Sequence, residues 1–347
     1  MTISKLKYIG AYFSPLLAIL SFNLSGYWAF IGVATLYILV PILEQFLPKD
    51  TYNLTKSEKE LAKKDKFYDW ILYLLAPIQL YVVYVFLTTI SRPDILFIEL
   101  LGYSLMMGTI LGVNGINGGH ELGHKTEHPI KIFLAHVLLM TSLQNHFMTY
   151  HNSGHHKDVA TPNDLTTAKK GQSFYSFAFQ SQIGGYFKTW KLENEKLKKR
   201  GKNPLLNPMI LTTLVPWLFQ GLIFFHFGYF VGSMYFLASV FGISILESQN
   251  YFSHYGLQRK LKEDGSYERV KVHHSWNSDH LIGRILLFEL TRHSDHHFAG
   301  AKPYQILESK EGSPVLPYGY PAMLIMGYFP FIFKPVMAKQ LAKYKVK

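Results

Sequence analysis

The chain has 347 residues, of which 48% are hydrophobic and 16% aromatic, and its formal net charge is +12. It contains no cysteine, which excludes disulfides, a thiolate nucleophile, cysteine-ligated zinc and an iron–sulfur module within these residues. The positive charge does not require a nucleic acid, because basic residues that flank apolar segments suit an anionic membrane surface.

Six apolar segments approach the roughly 20 residues that a helix needs to cross a bilayer. A large soluble helical core is the alternative explanation, but six such segments favour a membrane protein. We therefore predict an all-α integral membrane protein with six transmembrane helices in a single domain, 1–347. The predicted spans are residues 8–24, 27–46, 69–90, 94–116, 208–225 and 228–249.

Lysine and arginine residues are distributed unevenly between the predicted connections. The turns 21–26 and 226–228 carry none, and the connection 91–94 carries only Arg92, whereas the linker 48–66 is rich in lysine. The positive-inside rule then predicts that both termini and the polar segments 117–207 and 250–347 are cytoplasmic. We expect the chain to lie in the inner (plasma) membrane, with lipid around it and no nucleic acid as a partner.

The first cytoplasmic segment begins with GGHELGHKTEH, residues 118–128, in which His120 and His124 match the H-E-x-x-H motif of zinc metalloproteases. In such a protease Glu121 would be the general base. The protease hypothesis leaves the histidine clusters further along the chain without a role, and we disfavour it for that reason.

Nine of the sixteen histidines are concentrated in four short motifs. Residues three or four apart share a helix face, so each motif with that spacing can present two rings to one ion. The neighbouring member of an HH pair points about a hundred degrees away, toward a second ion. A catalytic zinc takes three protein ligands, so nine histidines suit two ions better than one zinc, although imidazole alone leaves zinc, copper, iron and nickel open.

These nine histidines are the candidate metal ligands and catalytic residues. They are His120, His124, His151, His155, His156, His254, His293, His296 and His297.

HELGHK, HNSGHH, NYFSHYGL and LTRHSDHH, in this order around the predicted spans, resemble the histidine motifs of the integral-membrane alkane monooxygenases. HSWNSDH (274–280), HHKDVATPND (155–164) and LPYGYPAML (316–324) extend the resemblance over nearly the whole chain. The resemblance implies a non-haem alkane 1-monooxygenase that holds two Fe ions on the nine histidines and inserts one atom of O₂ into a terminal methyl group. It also implies electrons from a rubredoxin, itself reduced by an NAD(P)H-dependent reductase.

Two positions depart from that family's pattern. Glutamate usually precedes the second motif and the lone histidine, and here these positions are Tyr150 and Ser253. The loss of two carboxylates is expected to change the hydrogen bonds that orient the imidazole rings. The acidic residues that remain as candidates for that supporting role are Glu121, Asp164, Glu247 and Asp295.

Two other functions stay open at the level of the sequence. A related membrane di-iron oxidase, acting as hydroxylase or desaturase on aryl-methyl or fatty acyl substrates, shares the general three-motif pattern. A histidine-rich metal transporter is the non-enzymatic alternative, but the predicted spans contain almost no ionisable groups that would line a path. The alkane hypothesis predicts an apolar channel between the spans, because an unactivated methyl group offers nothing to hydrogen-bond.

Overall fold

The computed structural model describes residues 5–124 and 127–344. Lys125 of the HELGHK motif and both ends of the predicted 1–347 domain, including the last lysines of the basic C-terminus, lie outside the described residues. The described part is helical without β-strands, and its β pairing is limited to isolated bridges. The predicted all-α class is therefore confirmed.

The helices are labelled in chain order, and each includes the 3-10 or π turns that continue it. They are α1 Lys7–Phe22, α2 Gly26–Phe46, α3 Lys56–Lys64, α4 Phe67–Ile90, α5 Phe97–Gly123, α6 Pro129–Thr141, α7 147–158, α8 174–199, α9 Pro208–His254, α10 Leu281–Leu286, α11 His293–Phe298, α12 Tyr320–Gly327 and α13 Pro330–Lys343. Short 3-10 turns lie at Pro204–Leu206, Val272–His274 and Tyr304–Ile306.

Four of the described helices, α2, α4, α5 and α9, are long and apolar enough to cross a membrane. Helix α9 has 47 residues, but Gly228, with φ 80° and ψ 173°, breaks it into two arms. Glycine adopts this left-handed conformation without steric cost, and the two arms correspond to the predicted fifth and sixth spans. Helix α1 is apolar but shorter than the other four. The membrane character agrees with the sequence, and the number of six spans stays a prediction.

Small residues allow α5 and α9 to cross at close range. A Cβ atom on Gly108 would lie 2.5 Å from the carbonyl oxygen of Ala238, and one on Gly242 would lie 2.8 Å from the carbonyl oxygen of Gly108. Glycine at such positions lets the backbones of two membrane helices approach each other directly. The crossing brings together the two helices that end in His120–Gly123 and His254.

A buried ion-pair network connects α1 to the segment that precedes α11. Glu289 is buried and accepts hydrogen bonds from Arg284 Nε at 2.6 Å and from the Tyr8 hydroxyl at 2.7 Å, while Lys7 Nζ lies 3.0 Å from the carboxylate. Burial by itself would raise the pKa of Glu289, but the charges of Arg284 and Lys7 lower it below its usual value. An ionised Glu289 therefore holds the start of the chain against the segment leading to the last histidine motif.

Replacement of Glu289 by Gln should destabilise the protein by about 3 kcal/mol, because Arg284 would lose its buried counter-charge and keep only the partly exposed Asp50 carboxylate at 2.7 Å. The measurement is the midpoint of thermal unfolding of the purified protein in detergent. Glu263→Gln is the matched control, since Glu263 is exposed. Equal midpoints for the Glu289 and Glu263 variants would contradict the stabilising role of the network.

Candidate metal centre

The four histidine motifs meet at one place, although they lie on four different helices. Helix α5 ends next to His124 and carries His120, α9 ends at His254, and α7 and α11 carry the remaining six. Seven of the nine residues are at most 4% exposed, and only His124 and His156 are less buried than that. The structure thus brings all nine candidate histidines into a single buried cluster.

The second motif departs from α-helical spacing. Residues His151–His155 form a π-helical turn in which the backbone N–H of His156 donates to the carbonyl oxygen of His151. This i→i+5 bond aligns His151 with His156, whose Nε2 atoms are 3.0 Å apart. The i,i+4 spacing predicts that His151 and His155 present their rings to the same ion, and this prediction is wrong. The π turn adds one residue to the helical repeat, so His156 instead of His155 lies beside His151.

The ring nitrogens form two groups that each fit one ion. The first group contains His120, His124, His151, His156 and His296, and the second contains His155, His254 and His297. His293 adjoins the second group, with its Nε2 atom 3.1 Å from the Nε2 atoms of both His254 and His297. The adjacent histidines of each HH pair are divided between the two groups, as the sequence argument for two ions expects.

The spacing of the nitrogens favours ions with more than four ligands. With nitrogen about 2.1 Å from an ion, ligands at right angles lie roughly 3.0 Å apart, whereas those of a tetrahedral zinc lie roughly 3.4 Å apart. The Nε2 atom of His120 is 2.8 Å from that of His151 and 2.9 Å from that of His124. Buried Nε2 atoms of His155 and His296 have no hydrogen-bond partner among the described residues. The first group, with five nitrogens, therefore fits a cation with octahedral-type angles, and the second group offers three nitrogens with His293 beside them.

Burial keeps the rings in the form that binds metal. Desolvation, followed by the neighbouring histidines, lowers the pKa of His151, His296 and His297 well below the usual value. The same causes lower the pKa of His156 to about 3. Neutral imidazole is the ligand form of histidine, so these rings present lone pairs to an ion at neutral pH.

Among the acidic candidates, Asp164 makes a direct contact with a ring of the cluster. His155 Nδ1 donates a hydrogen bond to the Asp164 carboxylate at 2.8 Å, and the hydroxyl groups of Thr166 and Thr167 donate to it at 2.7 and 2.6 Å. The Tyr150 hydroxyl donates to the same carboxylate at 3.1 Å. This network fixes the ring of His155 with Nε2 toward the second group, as supporting carboxylates do for metal ligands.

The other three acidic candidates have different partners. Glu121 accepts a hydrogen bond from the Tyr304 backbone at 3.3 Å, Asp295 pairs with Lys302 at 2.5 Å, and Glu247 accepts from the side chain of Gln182. For Glu247 and Asp295, the hydrogen bonds found within the described part of the chain do not involve a histidine ring. Their proposed role in orienting imidazoles has no support from these contacts.

Two residues that contact the cluster were not predicted from the sequence. The ring of Phe147 stacks on His151, with centroids 5.0 Å apart, and Ser275 Oγ lies 3.5 Å from His254 Nδ1. Phe147 precedes His151 by four residues, which is a helical repeat that could have pointed to the stacking. Ser275 belongs to the HSWNSDH segment, but nothing in its spacing connects it to His254.

An apolar cavity of about 560 Å³ reaches the first group of histidines. A second cavity of about 380 Å³ shares Val113, Leu287 and Leu324 with it. The apolar cavity is lined by Gly112, Val113, Ile116, Asn117, His120, Phe147, His151, Ile245, Leu246, Gln249, Asn250, Leu287, Leu290, His293, Tyr320 and Leu324.

Known proteins resemble this chain over most of its length. The model of the fatty acid desaturase family matches residues 95–324, which include all nine histidines. The chain is 35% identical to alkane 1-monooxygenase of Ectopseudomonas oleovorans over 93% of this chain and 81% of the relative. It is 34% identical to alkane 1-monooxygenase 1 of Alcanivorax borkumensis, over 95% and 82%, and 34% identical to alkane 1-monooxygenase of Pseudomonas putida, over 95% and 83%.

Replacement of Asp164 by Asn should weaken metal binding by roughly 10- to 100-fold, because the ring of His155 loses the carboxylate that orients and polarises it. The measurement is the metal retained per chain after equilibration with a competing chelator. Asp264→Asn serves as the control, since Asp264 is exposed and lies in a loop. Retention in the Asp164 variant equal to that of the control would rule out the supporting role.

Proposed function

This chain belongs to the fatty acid desaturase family and to its alkane 1-monooxygenases, and on that basis we propose that it is a membrane di-iron monooxygenase that converts alkanes to 1-alcohols. One atom of O₂ enters the terminal C–H bond, and two electrons and two protons reduce the other atom to water. The observation that carries the proposal is the junction between the nine-histidine cluster and the apolar cavity.

The two groups of histidines would hold two Fe ions, the first group with five ligands and the second with three and His293 beside them. Bound iron supplies the activation of O₂ and of an unactivated C–H bond, for which amino-acid side chains have no chemistry of their own. The protein's residues exclude bulk water through burial, keep the rings neutral, and hold His155 in place through Asp164. Fixed ligands in a dry site are what such a reaction requires of its protein.

The apolar cavity is suited to select and orient the alkane. Val113, Ile116, Leu246 and Leu287 line it and bind a hydrocarbon chain by removing apolar surface from water. His120, His151 and His293 form its polar end, so a chain lying in the cavity would direct one methyl group at the metal ions. Position along the cavity, instead of a functional group of the substrate, then decides which carbon reacts.

We propose that the chain lies in the inner membrane with six spans: α1, α2, α4, α5 and the two arms of α9. Both termini and the histidine cluster would face the cytoplasm, which the basic linker 48–66 and the uncharged turns 21–26 and 226–228 support. Electrons would come from rubredoxin and its NAD(P)H-dependent reductase, since the chain has no cysteine to hold an iron–sulfur centre.

The competing functions use the same residues differently. An aryl-methyl hydroxylase or fatty acyl desaturase would keep the metal centre and change the substrate, but the relatives with about 35% identity are alkane 1-monooxygenases by name. A metal transporter would need ligands spread along a path through the membrane, whereas the nine histidines converge in one cluster. Both comparisons support the alkane hydroxylase.

Membranes that contain the protein, supplied with rubredoxin, its reductase, NADH and mixed alkanes, should form 1-alcohols, and the purified protein should contain two irons per chain. His296→Ala should abolish product, because it removes a ligand from the first group, while His273→Ala should retain turnover. His273 is a histidine outside the cluster and is the matched control. Oxidised xylene or desaturated acyl chains without any alcohol from alkanes, or a single zinc in the protein, would refute the proposal.

Substitution of Val113 by Phe should favour short alkanes over long ones by about tenfold, because Val113 lines the apolar cavity and the larger ring shortens the space for a hydrocarbon chain. The readout is the ratio of 1-alcohols formed from an equimolar alkane mixture. Leu222→Phe adds the same ring on the exposed side of α9 and should leave the ratio unchanged. An unchanged ratio in the Val113 variant would show that the substrate does not extend through this cavity.

A further inference from the structure

A groove open to the outside lies between α8 and α9, and its exposed part is apolar. We call it the lateral groove, and this part is lined by Ile183 and Phe187 on α8 and by Trp217 and Val240 on α9. We propose that the lateral groove binds an acyl chain of an anionic phospholipid, whose phosphate contacts the basic segment 196–202. The inference rests on the placement in the membrane that is part of the proposed function, and not on the proposed reaction.

The apolar side chains of the lateral groove are only partly covered by the protein. The exposed fractions are 48% for Ile183, 66% for Phe187, 55% for Trp217 and 45% for Val240. Contiguous apolar surface of this kind marks a site of contact with a membrane or a protein. Helix α9 is a candidate span, so the hydrocarbon of the bilayer is the occupant that surrounds the groove already.

Helix α8 carries an apolar stripe that continues the groove. The stripe consists of four exposed side chains at intervals of four residues, Tyr175, Phe179, Ile183 and Phe187. The π turn Gln180–Gly184 adds one residue to the helical repeat, which keeps this spacing close to one face of the helix. Among the described helices α8 is not a candidate span. Its pattern is that of a helix whose apolar face is immersed in one leaflet.

Two hydrogen bonds show how α8 runs beside the first arm of α9. The hydroxyl groups of Tyr186 and Thr213 are 3.0 Å apart, and Asn207 Nδ2 donates to Asn194 Oδ1 at 2.7 Å. Asn194 comes after Tyr186 in the chain, whereas Asn207 comes before Thr213, so the two helices are antiparallel. The end of α8 therefore lies at the level where α9 enters the membrane.

The lateral groove extends over the depth of one leaflet. From Pro208 to Trp217 an α-helix rises about 14 Å, close to half of a hydrocarbon core of roughly 30 Å. Thr212, near the start of α9, and Trp217 both line the groove. An acyl chain that enters beside Thr212 would therefore reach Trp217, and its head group would lie at the level of Pro208.

Basic side chains are concentrated at that head-group level. The basic segment 196–202 directly follows Asn194 and Glu195 and contains five basic residues and no acidic one. Lys196 is paired with Glu193 at 2.5 Å. The other four are exposed and form no ion pair within the described part of the chain, and they are Lys198, Lys199, Arg200 and Lys202. Clustered lysine and arginine next to a span attract anionic lipid head groups.

The inner end of the lateral groove is closed toward the metal centre. Gln182 lines this end, donates a hydrogen bond to the Glu247 carboxyl and accepts one from Gln144 Nε2 at 3.1 Å. A molecule in the groove is thus separated from the histidine cluster by a hydrogen-bonded layer. This arrangement favours a ligand that stays at the surface, such as a phospholipid, over an alkane on its way to the metal ions.

Trp217 provides a fluorescence probe inside the groove. The full-length protein with its metal ions is placed in phosphatidylcholine vesicles that contain increasing fractions of brominated phosphatidylglycerol or brominated phosphatidylcholine. The quenching that Trp217→Phe removes is assigned to the groove. Half-maximal quenching should need a roughly tenfold smaller fraction of the phosphatidylglycerol, because the basic segment attracts only the anionic head group.

Two pairs of variants test the two parts of the site. Lys198→Gln, Lys199→Gln and Lys202→Gln together should abolish the preference for phosphatidylglycerol. The control removes the same charge from three exposed positions on α3, Lys56→Gln, Lys63→Gln and Lys64→Gln, and should keep the preference. Val240→Phe fills the groove and should reduce the quenching by both lipids, whereas Leu237→Phe, at an exposed position outside the groove, should not.

Equal half-maximal fractions for the two lipids, or a preference that the three glutamines on α8 and its end leave unchanged, would overturn the inference. Relief of the quenching by an added alkane would identify the groove as an alkane site and overturn it as well. Absence of quenching at Trp217 while the exposed Trp28 on α2 is quenched would show that another occupant, such as a second copy of the chain, covers the groove. Absence of quenching at both tryptophans would refute the placement in the membrane, and 1-alcohol formation in the same vesicles tests the proposed reaction separately.

Discussion

The concentration of nine imidazole rings in one buried volume is the constraint on which the rest of the structure depends. Seven of their Nε2 atoms lie 2.8–3.1 Å from the Nε2 atom of a neighbouring ring. A neutral ring has a single N–H group, so N–H···N hydrogen bonds cannot satisfy every contact in the series His124, His120, His151 and His156. Protonation does not relieve this arrangement, because burial and neighbouring rings lower the pKa of His151, His296 and His297. Cations bound between the rings would satisfy the remaining lone pairs together, and would then stabilise the fold as well as supply its chemistry.

The surrounding elements can be understood as supports for that cluster. The glycine contacts between α5 and α9 bring the helix ends with His120 and His254 together. The buried Glu289 network fixes the segment just before α11, which carries three of the rings. Asp164 accepts hydrogen bonds from Thr166 and Thr167 and from Nδ1 of His155, and so orients the ring of His155. Each support comes from a different part of the chain, which makes the cluster dependent on the complete fold.

The features that the sequence predicted are those that depend on local pattern. Apolar segments of sufficient length indicated the long helices, with the predicted 69–90 close to the observed Phe67–Ile90. The His120/His124 spacing predicted correctly that these two rings meet, since their Nε2 atoms are 2.9 Å apart. The division of each HH pair between the two groups also followed from the sequence, because adjacent residues on a helix point in different directions.

The features that the sequence did not predict depend on tertiary contacts. The π turn at His151–His155 exchanges the partner of His151, and no residue type in HNSGH signals an i→i+5 hydrogen bond. The contact between Gln182 and Glu247 joins residues 65 positions apart. The carboxylate of Asp295 forms an ion pair with Lys302 instead of a hydrogen bond with a histidine ring. Sequence spacing can place a side chain on a helix face, but the partner on the opposing helix is decided by how the helices pack.

The two departures from the family pattern can now be interpreted through their contacts. Tyr150 packs its ring against Gly154, where a Cβ would lie 2.6 Å from it, and its hydroxyl reaches Asp164. The carboxylate that supports His155 is thus supplied by residue 164, and residue 150 contributes a hydrogen bond to that carboxylate. Ser253 lies among the uncharged groups of Gln249 and Tyr320 next to His254. With uncharged side chains at both positions the nine candidate histidines still lie together, and the orientation of His155 is fixed by Asp164.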